Sequence, residues 1–361
     1  MKIESLAIKN FRNYDELVVQ FDDKVNVFIG KNAQGKTNLL ESIYLACIGK
    51  SFKSCRDKEL IKWGKEASFV TLKANKKYRD VQIDVALLSS QKKSVKINGL
   101  PIKRMGELIG EVNLVFFSPQ ELRLVRESPE ERRRFMDIDI SQNNKRYFYQ
   151  LARYEKILAN RNKLLKTASS LDALKETIDI WDRALVASAK LIAFERQKFI
   201  EQILPYAQKA HSYISGGKEN LTLVYECGCN VNLDENFERE LDKLLKKNIE
   251  KDFRLGYTTV GVHRDDIDIF LNDVEVKNFG SQGQQRTVAL SLKLAELENM
   301  YNINGEYPIL LLDDVFSELD SDRKRRLLKF VDRTQTFITC TDEGSVDGKL
   351  YHIIEGKIQE N

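Results

Sequence analysis

A loop near the N-terminus combines glycine, lysine and a hydroxyl group at the spacing of a phosphate-binding site. It reads Gly30-Lys31-Asn32-Ala33-Gln34-Gly35-Lys36-Thr37, which matches G-x-x-x-x-G-K-[ST] without a gap. Backbone N–H groups of such a loop surround a triphosphate, and glycine allows the close approach. Lys36 would reach the β- and γ-phosphates as a catalytic residue, and the Thr37 hydroxyl would bind Mg²⁺. The loop predicts a nucleotide site; a strand-to-helix turn without a ligand is the alternative.

Two adjacent carboxylates follow an apolar segment in the second half of the chain. The segment 308–312 (Pro-Ile-Leu-Leu-Leu) reads as a buried strand that ends in Asp313 and Asp314. Acids at the exposed end of such a strand are placed to meet a metal. We assign Asp313 to Mg²⁺, directly or through water, and Asp314 to the base that positions the attacking water. Helix capping by Asp314 is the alternative. Because Asp is one methylene shorter than Glu, we expect slow hydrolysis.

A second candidate anion site precedes this acidic strand. Residues 279–286 (Phe-Gly-Ser-Gln-Gly-Gln-Gln-Arg) lead into a helix with small and apolar residues, so Ser281, Gly283 and the first helical N–H groups could hold an anion. The segment resembles the signature of ABC ATPases, usually LSGGQ, and residues 317–320 (Ser-Glu-Leu-Asp) resemble their D-loop. The resemblance implies that Ser281, Gly283 and Gln284 cap the ATP of a partner subunit in a two-fold dimer. An ordinary polar loop before a helix is the alternative.

The elements that must position these residues alternate between strands and helices. An apolar strand, 25–29, runs into the loop, and helical spacing follows over 38–48. Alternating segments at 69–73, 81–88 and 94–97 predict a small antiparallel sheet, with a turn at Asn98-Gly99. Residues from about 130 to 210 have helical periodicity, and a charged helix is expected over 235–251. We predict an α/β fold, an ABC-type P-loop ATPase head with a helical insertion lobe: head 1–128, lobe 129–217 and head 218–361.

Composition is compatible with this fold and excludes other classes. The 361 residues are 42% hydrophobic and 31% charged, as in globular proteins. No apolar run reaches the roughly 18 residues of a membrane span, and the N-terminus does not read as a signal peptide. The five scattered cysteines are expected to be reduced thiols, which predicts a cytoplasmic protein. The net charge of +4 permits a basic face for nucleic acid without requiring one.

The chain resembles one ABC branch in particular, the RecF family of SMC-like ATPases. The resemblance is carried by the segments 10–14, 49–52, 118–122, 129–137, 261–266 and 281–286. It implies ATP-dependent dimerisation on gapped or single-stranded/double-stranded DNA, and work with RecO and RecR to load RecA in recombinational repair, replication restart and SOS induction. It also implies slow, DNA-stimulated ATP hydrolysis, a nucleotide contact for Arg12 and a Mg²⁺ or water contact for Gln120. Histidine is missing near Thr341, where transporter ATPases have their switch residue.

A basic run after the loop helix is the candidate DNA contact. It comprises Lys50, Lys53, Arg56, Lys58, Lys62 and Lys65, with Phe52 and Trp63 among them. Such residues could neutralise backbone phosphates without reading bases, or form an ordinary solvated face. The pair His263-Arg264 could be structural or could contact nucleotide or DNA. Two other functions stay open, namely the ATPase subunit of another machine such as a transporter, and an SMC-like scaffold that binds ATP without hydrolysing it.

Overall fold

The structure, a computed structural model, describes residues 1–53, 55–119, 123–319, 321–341 and 346–359. The chain forms two compact units. The first unit contains Met1–Leu122, Lys209–Lys218 and Ala289–Asn361, and the second contains Arg123–Gln208 and Glu219–Val288. The predicted head and lobe boundaries stay a prediction. Within the described ranges, no helix is both long enough and apolar enough to cross a membrane.

A largely parallel sheet forms one layer of the first unit. Its strand order is β15-β14-β3-β13-β12-β8, and only β15 runs antiparallel to its neighbour. The strands are β3 (Val25–Ile29), β8 (Leu114–Phe117), β12 (Ile309–Asp313), β13 (Thr336–Cys340), β14 (Lys349–Ile354) and β15 (Lys357–Gln359). Each residue of β3, β12 and β13 is buried, which explains why these strands are mainly apolar and do not alternate with polar residues. Because β3, β13 and β12 are parallel neighbours, their carboxyl ends lie at the same edge of the sheet.

Among the described residues, four α-helices belong wholly or partly to this unit, one of them through the last residues (209–215) of the long helix Leu171–Ser215. The other three are α1 (Lys36–Ile48), the C-terminal part of α9 (Gln282–Asn304) and α10 (Ser321–Val331). The helix α1 begins directly after β3 and the loop, and Gly49 ends it in the left-handed conformation. The expected strand-loop-helix order around residues 30–37 is confirmed.

An antiparallel sheet forms the other layer of the first unit, with the order β2-β1-β4-β5-β6-β7. Its strands are β1 (Lys2–Phe11), β2 (Tyr14–Gln20), β4 (Ala67–Asn75), β5 (Asp80–Leu88), β6 (Ser94–Ile97) and β7 (Leu100–Pro101). Buried residues alternate with half-buried or exposed ones along β4 and β5, as expected of a sheet with one face packed on the core. Asn98 and Gly99 both have positive φ, at 50° and 80°, which makes the predicted tight turn.

The second unit is mainly helical, with a three-stranded antiparallel sheet of order β11-β10-β9. Its elements are α2 (Arg123–Arg126), α3 (Pro129–Asn143), α4 (Lys145–Thr167), most of α5 (Leu171–Ser215), β9 (Leu221–Glu226), α6 (Phe237–Lys247), α7 (Ile249–Leu255), β10 (Asp266–Leu271), β11 (Val274–Glu275), α8 (Val276–Phe279) and the first residues of α9. The single helix predicted over 235–251 is wrong. Two helices meet at Asn248, whose side-chain amide donates to the Leu244 carbonyl at 2.8 Å and ends α6.

Buried ion pairs hold the helices of this unit together. Arg196, on α5, is 2% exposed and binds the carboxylates of Asp137 and Asp265. His263 lies nearby, with Nδ1 at 2.8 Å from the Tyr154 hydroxyl and Nε2 at 3.0 Å from the Thr258 carbonyl. Both ring nitrogens are therefore engaged within the unit, which favours the structural interpretation of His263.

Candidate nucleotide-binding site

Two turns hold the loop 30–37 in place after β3. From the β1–β2 turn, the Asn13 side-chain amide donates to the Gln34 carbonyl and the Tyr14 hydroxyl donates to the Gly35 carbonyl, each at 3.0 Å. From the β14–β15 turn, the Glu355 N–H donates to Gln34 Oε1 at 2.7 Å and the Gly356 N–H donates to the Gln34 carbonyl at 3.1 Å. With these carbonyls engaged by the surrounding protein, the loop has a fixed shape before any ligand arrives.

Both loop glycines are required by their surroundings. A Cβ at Gly30 would lie 2.4 Å from the Ile353 carbonyl oxygen, a distance that side chains do not adopt. Gly35 has φ +117°, and a Cβ there would lie 2.6 Å from the Asn13 side chain. The glycines therefore allow the loop to pass under the β14–β15 turn and to enter α1. Lys31, Asn32 and Ala33 remain exposed at the tip.

Lys36 is folded onto the loop that precedes it. Its ammonium donates to the carbonyl of Gly30, and to that of Lys31 at 3.0 Å, and the residue is only 8% exposed. Burial lowers the pKa of Lys36, while the nearby charges of Asp314, Cys340 and Asp313 oppose that shift. The same side chain thus lies beside the loop backbone and within electrostatic reach of the two acids.

The end of β12 joins the loop through a threonine pair. Asp313 Oδ1 accepts hydrogen bonds from the Thr37 hydroxyl at 2.9 Å and from the Thr339 hydroxyl at 2.8 Å. Burial raises the pKa of Asp313, and the two hydrogen bonds and the charge of Lys53 oppose the rise. The Thr37 hydroxyl, at the start of α1, and the Asp313 carboxylate, at the end of β12, form an oxygen donor set that fits Mg²⁺.

Asp314 leaves the sheet immediately after Asp313. It has φ 53°, in the left-handed region, and its N–H donates to the Thr339 hydroxyl at 2.9 Å. Thr339 therefore contacts both acids, and our sequence analysis did not identify it. It pairs in register with Asp313 because β13 lies beside β12, and this neighbourhood is a property of the fold that no sequence pattern indicates.

Arg12 and Lys53 meet at a buried glutamate on α1. Glu41 is fully buried, and both its oxygens accept from the Arg12 guanidinium, at 2.8 and 2.9 Å. Lys53 Nζ lies 3.4 Å from Glu41 Oε2 and 3.2 Å from Asn38 Oδ1. Burial raises the pKa of Glu41, but the hydrogen bonds from Arg12 and Ser51 and the charge of Lys53 outweigh it, so the pKa is lowered. The structure thus brings Arg12 and Lys53 together at an acid of the loop helix that sequence reasoning missed.

The signature segment begins α9, in the second unit. The Ser281 hydroxyl accepts from the Gln284 N–H at 3.2 Å, and the Gln284 side-chain carbonyl accepts from the Ser281 N–H at 2.8 Å. This is a reciprocal capping box. The Gln284 amide also donates to Glu219 at 2.9 Å. Ser281 is exposed and Gly283 half-buried, so the helix N-terminus faces solvent.

The remaining candidates differ in their exposure to solvent. Lys50, Arg56, Lys58 and Lys65 are exposed, whereas Lys62 is half-buried and its ammonium lies 2.7 Å from Asp15. Gln120, the metal contact implied by family resemblance, lies outside the described residues, as does Asp320 of the D-loop segment.

Known proteins are similar to this chain along nearly its whole length. The family model described as RecF/RecN/SMC N terminal domain matches residues 2–354. A curated relative from Alkaliphilus oremlandii (strain OhILAs), DNA replication and repair protein RecF, is 46% identical over 369 residues, covering 99% of this chain and 100% of the relative. A solved structure of the recombination mediator protein RecF with ATP in the RecFOR pathway is 34% identical with a TM-score of 0.92, covering 100% of this chain and 97% of that chain.

A more distant similarity concerns the fold alone. The Smc head domain of Pyrococcus furiosus, bound to the C-terminal domain of ScpA, is 17% identical with a TM-score of 0.58, covering 99% of this chain and 95% of that chain. The predicted fold class, an α/β head of the ABC ATPase type, is confirmed by these matches. On the combined evidence of its family model, its full-length relative and its fold, the chain belongs to the RecF family.

Proposed function

We propose that this chain is an ATP-hydrolysing, DNA-binding recombination mediator that dimerises around ATP. The observation that carries the proposal is the convergence of the loop 30–37, Thr37 and Asp313 at one edge of the parallel sheet. The relative of known structure holds ATP and is a mediator in the RecFOR pathway, which supports the same ligand and role here. By the family resemblance, the partners are RecO, RecR, RecA and gapped or single-stranded/double-stranded DNA, and the work is done in the cytoplasm.

Each residue of the site has a distinct task in this proposal. The loop N–H groups and the α1 N-terminus would bind the triphosphate, and Lys36 would move from the loop carbonyls to the β- and γ-phosphates. Thr37 and Asp313 would hold Mg²⁺, which when bound would neutralise charge on the phosphates. Asp314 would orient the attacking water and take its proton. Its short side chain supports slow hydrolysis, with ATP acting as a switch and DNA as the stimulator.

The signature would complete the site of a second copy. Ser281 stands at an exposed helix N-terminus with its hydroxyl already oriented by Gln284, which suits a γ-phosphate arriving from outside the subunit. A two-fold dimer uses each loop and each signature once, because its interface repeats every contact. By linkage, ATP should tighten the dimer as much as dimerisation tightens ATP binding.

Sedimentation tests this proposal. Wild type is expected to dimerise with ATP and not with ADP, each measured with and without gapped DNA, and Ser281→Arg should stay monomeric because the larger cation blocks the cap. Ser170→Arg is the matched control, since Ser170 is another exposed serine that caps a helix of the second unit, through Ala173 N–H at 3.2 Å. A Ser281→Arg protein that still dimerises with ATP would contradict the proposed interface.

A further inference from the structure

The side chain of Trp63 is exposed to solvent on the surface of the first unit. Trp63 is 98% exposed, whereas Phe52, the other aromatic residue of the basic run, is buried and stacks on Phe116 with ring centroids 4.2 Å apart. A tryptophan can bury about 150–250 Å² of largely apolar surface, so leaving it in water forgoes a large hydrophobic gain. Core packing therefore accounts for Phe52 but not for Trp63.

The backbone holds Trp63 in a tight turn. The Lys65 N–H donates to the Lys62 carbonyl at 3.0 Å, and Gly64 has φ +78°, as the third position of a type II turn requires. On one side the Lys62 N–H donates to the Asn10 carbonyl at 2.8 Å, and on the other Ala67 begins β4. The indole is thus presented by a fixed backbone rather than by a loose loop.

Lysines flank this turn, together with the carboxylates of Asp15 and Glu66. The Lys62 ammonium lies 2.7 Å from Asp15, and a hydrogen bond from Lys62 lowers the pKa of that carboxyl, with the charges of Lys62, Lys65 and Lys357 adding to the effect. Lys62 and Lys65 thus flank Trp63 in the turn, Lys65 is exposed, and the charge of Lys357 acts on the same carboxylate. An apolar protein partner would leave this excess charge uncompensated, whereas a polyanion would neutralise it.

We infer that Trp63 stacks on an unpaired base of single-stranded DNA, with Lys62, Lys65 and Lys357 beside the flanking phosphates. The inference rests on the proposed DNA-binding function and assigns to it a residue and a strand state. Bases inside a duplex have both faces covered by their neighbours, so a lone ring on a turn can stack only where the DNA is single-stranded or ends. Aromatic stacking of this kind tolerates any sequence because every base has a π-face.

Intrinsic fluorescence can report on Trp63 alone. The chain has two tryptophans, and Trp181→Phe in the full-length protein leaves Trp63 as the sole indole. We expect an oligo-dT single strand to quench its emission, and a blunt duplex of the same length to quench it far less. Quenching by ATP without DNA would overturn the inference, since the base would then be that of the free nucleotide. Quenching that follows protein concentration without DNA would overturn it in favour of a second copy.

Affinity measurements provide the second readout. Trp63→Ala should weaken oligo-dT binding roughly 5- to 100-fold, the range expected for one stacked base, while Trp63→Phe should retain most of the affinity. The salt slope should be unchanged in Trp63→Ala but should fall by about 0.7 in Lys65→Ala, which removes one phosphate contact. The matched control is Tyr78→Ala, because Tyr78 is 86% exposed beside Lys77 and should leave binding unchanged.

The outcomes separate this inference from the proposed function. If wild type binds DNA and dimerises with ATP, but Trp63→Ala binds oligo-dT as tightly as wild type, only the inference fails. If wild type binds no DNA at all, the proposed function fails and the inference with it.

Discussion

Asp313 is the residue at which the polar contacts of the site converge. Its carboxylate links the start of α1, through Thr37, to the neighbouring strand β13, through Thr339. A carboxylate with a raised pKa needs such donors to remain ionised, and an ionised acid is what a magnesium ion requires. At the scale of single residues, the site therefore depends as much on Thr339, which contacts no predicted ligand, as on the loop.

The Thr339 hydroxyl can be removed without changing side-chain volume. Thr339→Val deletes the donor to Asp313 and the acceptor for the Asp314 N–H, and should lower the free energy of unfolding by about 1–3 kcal/mol. ATP hydrolysis should fall as well, because both acids lose an orienting contact. Thr339→Ser keeps the hydroxyl and should behave nearly as wild type. Urea unfolding and an ATPase assay check both effects, and a Val variant equal to wild type in each would contradict the role of Thr339.

At the scale of elements, the segment 261–266 is the point where helices and a sheet of the second unit meet. Arg196 on α5 binds Asp265 and the Val262 carbonyl, while Tyr154 on α4 contacts His263. Gly228, after β9, approaches so closely that a Cβ there would lie 2.4 Å from the Arg264 carbonyl carbon. The segment thus acts as a buried polar junction, and its charged groups are satisfied by one another.

The burial of His263 in this junction should make the free energy of unfolding depend on pH. Burial lowers the pKa of His263 to about 4, against about 6.5 in an unfolded chain. As pH falls from 6.5 towards 4, the unfolded chain takes up the proton first, so stability should decrease by at most about 3 kcal/mol and should not change from this cause above 6.5. His263→Gln removes this titration. Chemical denaturation at pH 7 and pH 5 should show a smaller loss for the variant; equal losses would contradict the argument.

At the scale of the whole molecule, each ATP site of the proposed dimer is formed by residues of both chains. The loop and Asp313 belong to the first unit and Ser281 to the second. Because every proposed site needs the loop of one chain and the signature of the other, a substitution in the loop or in the signature should inactivate both sites of a homodimer. Mixing two defective proteins is then informative, because each can supply what the other lacks. A heterodimer would contain one intact pair of loop and signature and one pair with both defects.

Lys36→Arg and Ser281→Arg proteins provide this test. Each alone should lose most ATP hydrolysis, with Lys36→Arg retaining some ATP binding because it keeps the charge. A mixed dimer has one intact site, which the Ser281→Arg chain forms with its own loop and the signature of the Lys36→Arg chain, so ATP hydrolysis in the mixture should return to at most about half of the wild-type rate. Two preparations of Lys36→Arg mixed together are the control. Full hydrolysis by Ser281→Arg alone, independent of dilution, would contradict the shared site.

Features made by residues close together in the chain were predictable from the sequence. The strand-loop-helix at 30–37, the turn at Asn98-Gly99 and the start of α9 at the signature all follow from local backbone requirements. The helix predicted over 235–251 failed because helical periodicity continues through Asn248, and the amide that ends α6 gives no periodic signal. The family could also be predicted from the sequence, because the motifs that identify it are short and contiguous.

Only the tertiary structure decided which distant side chains meet. Thr37 and Asp313 are 276 positions apart and are brought together because β3, β13 and β12 lie side by side, an order that sequence alone does not specify. The same holds for the basic run, in which Lys53 turns inward to Glu41 while Trp63 stands in solvent. Local sequence sets backbone conformation and periodicity, whereas the partner of a side chain depends on strand order and burial, which are properties of the assembled fold.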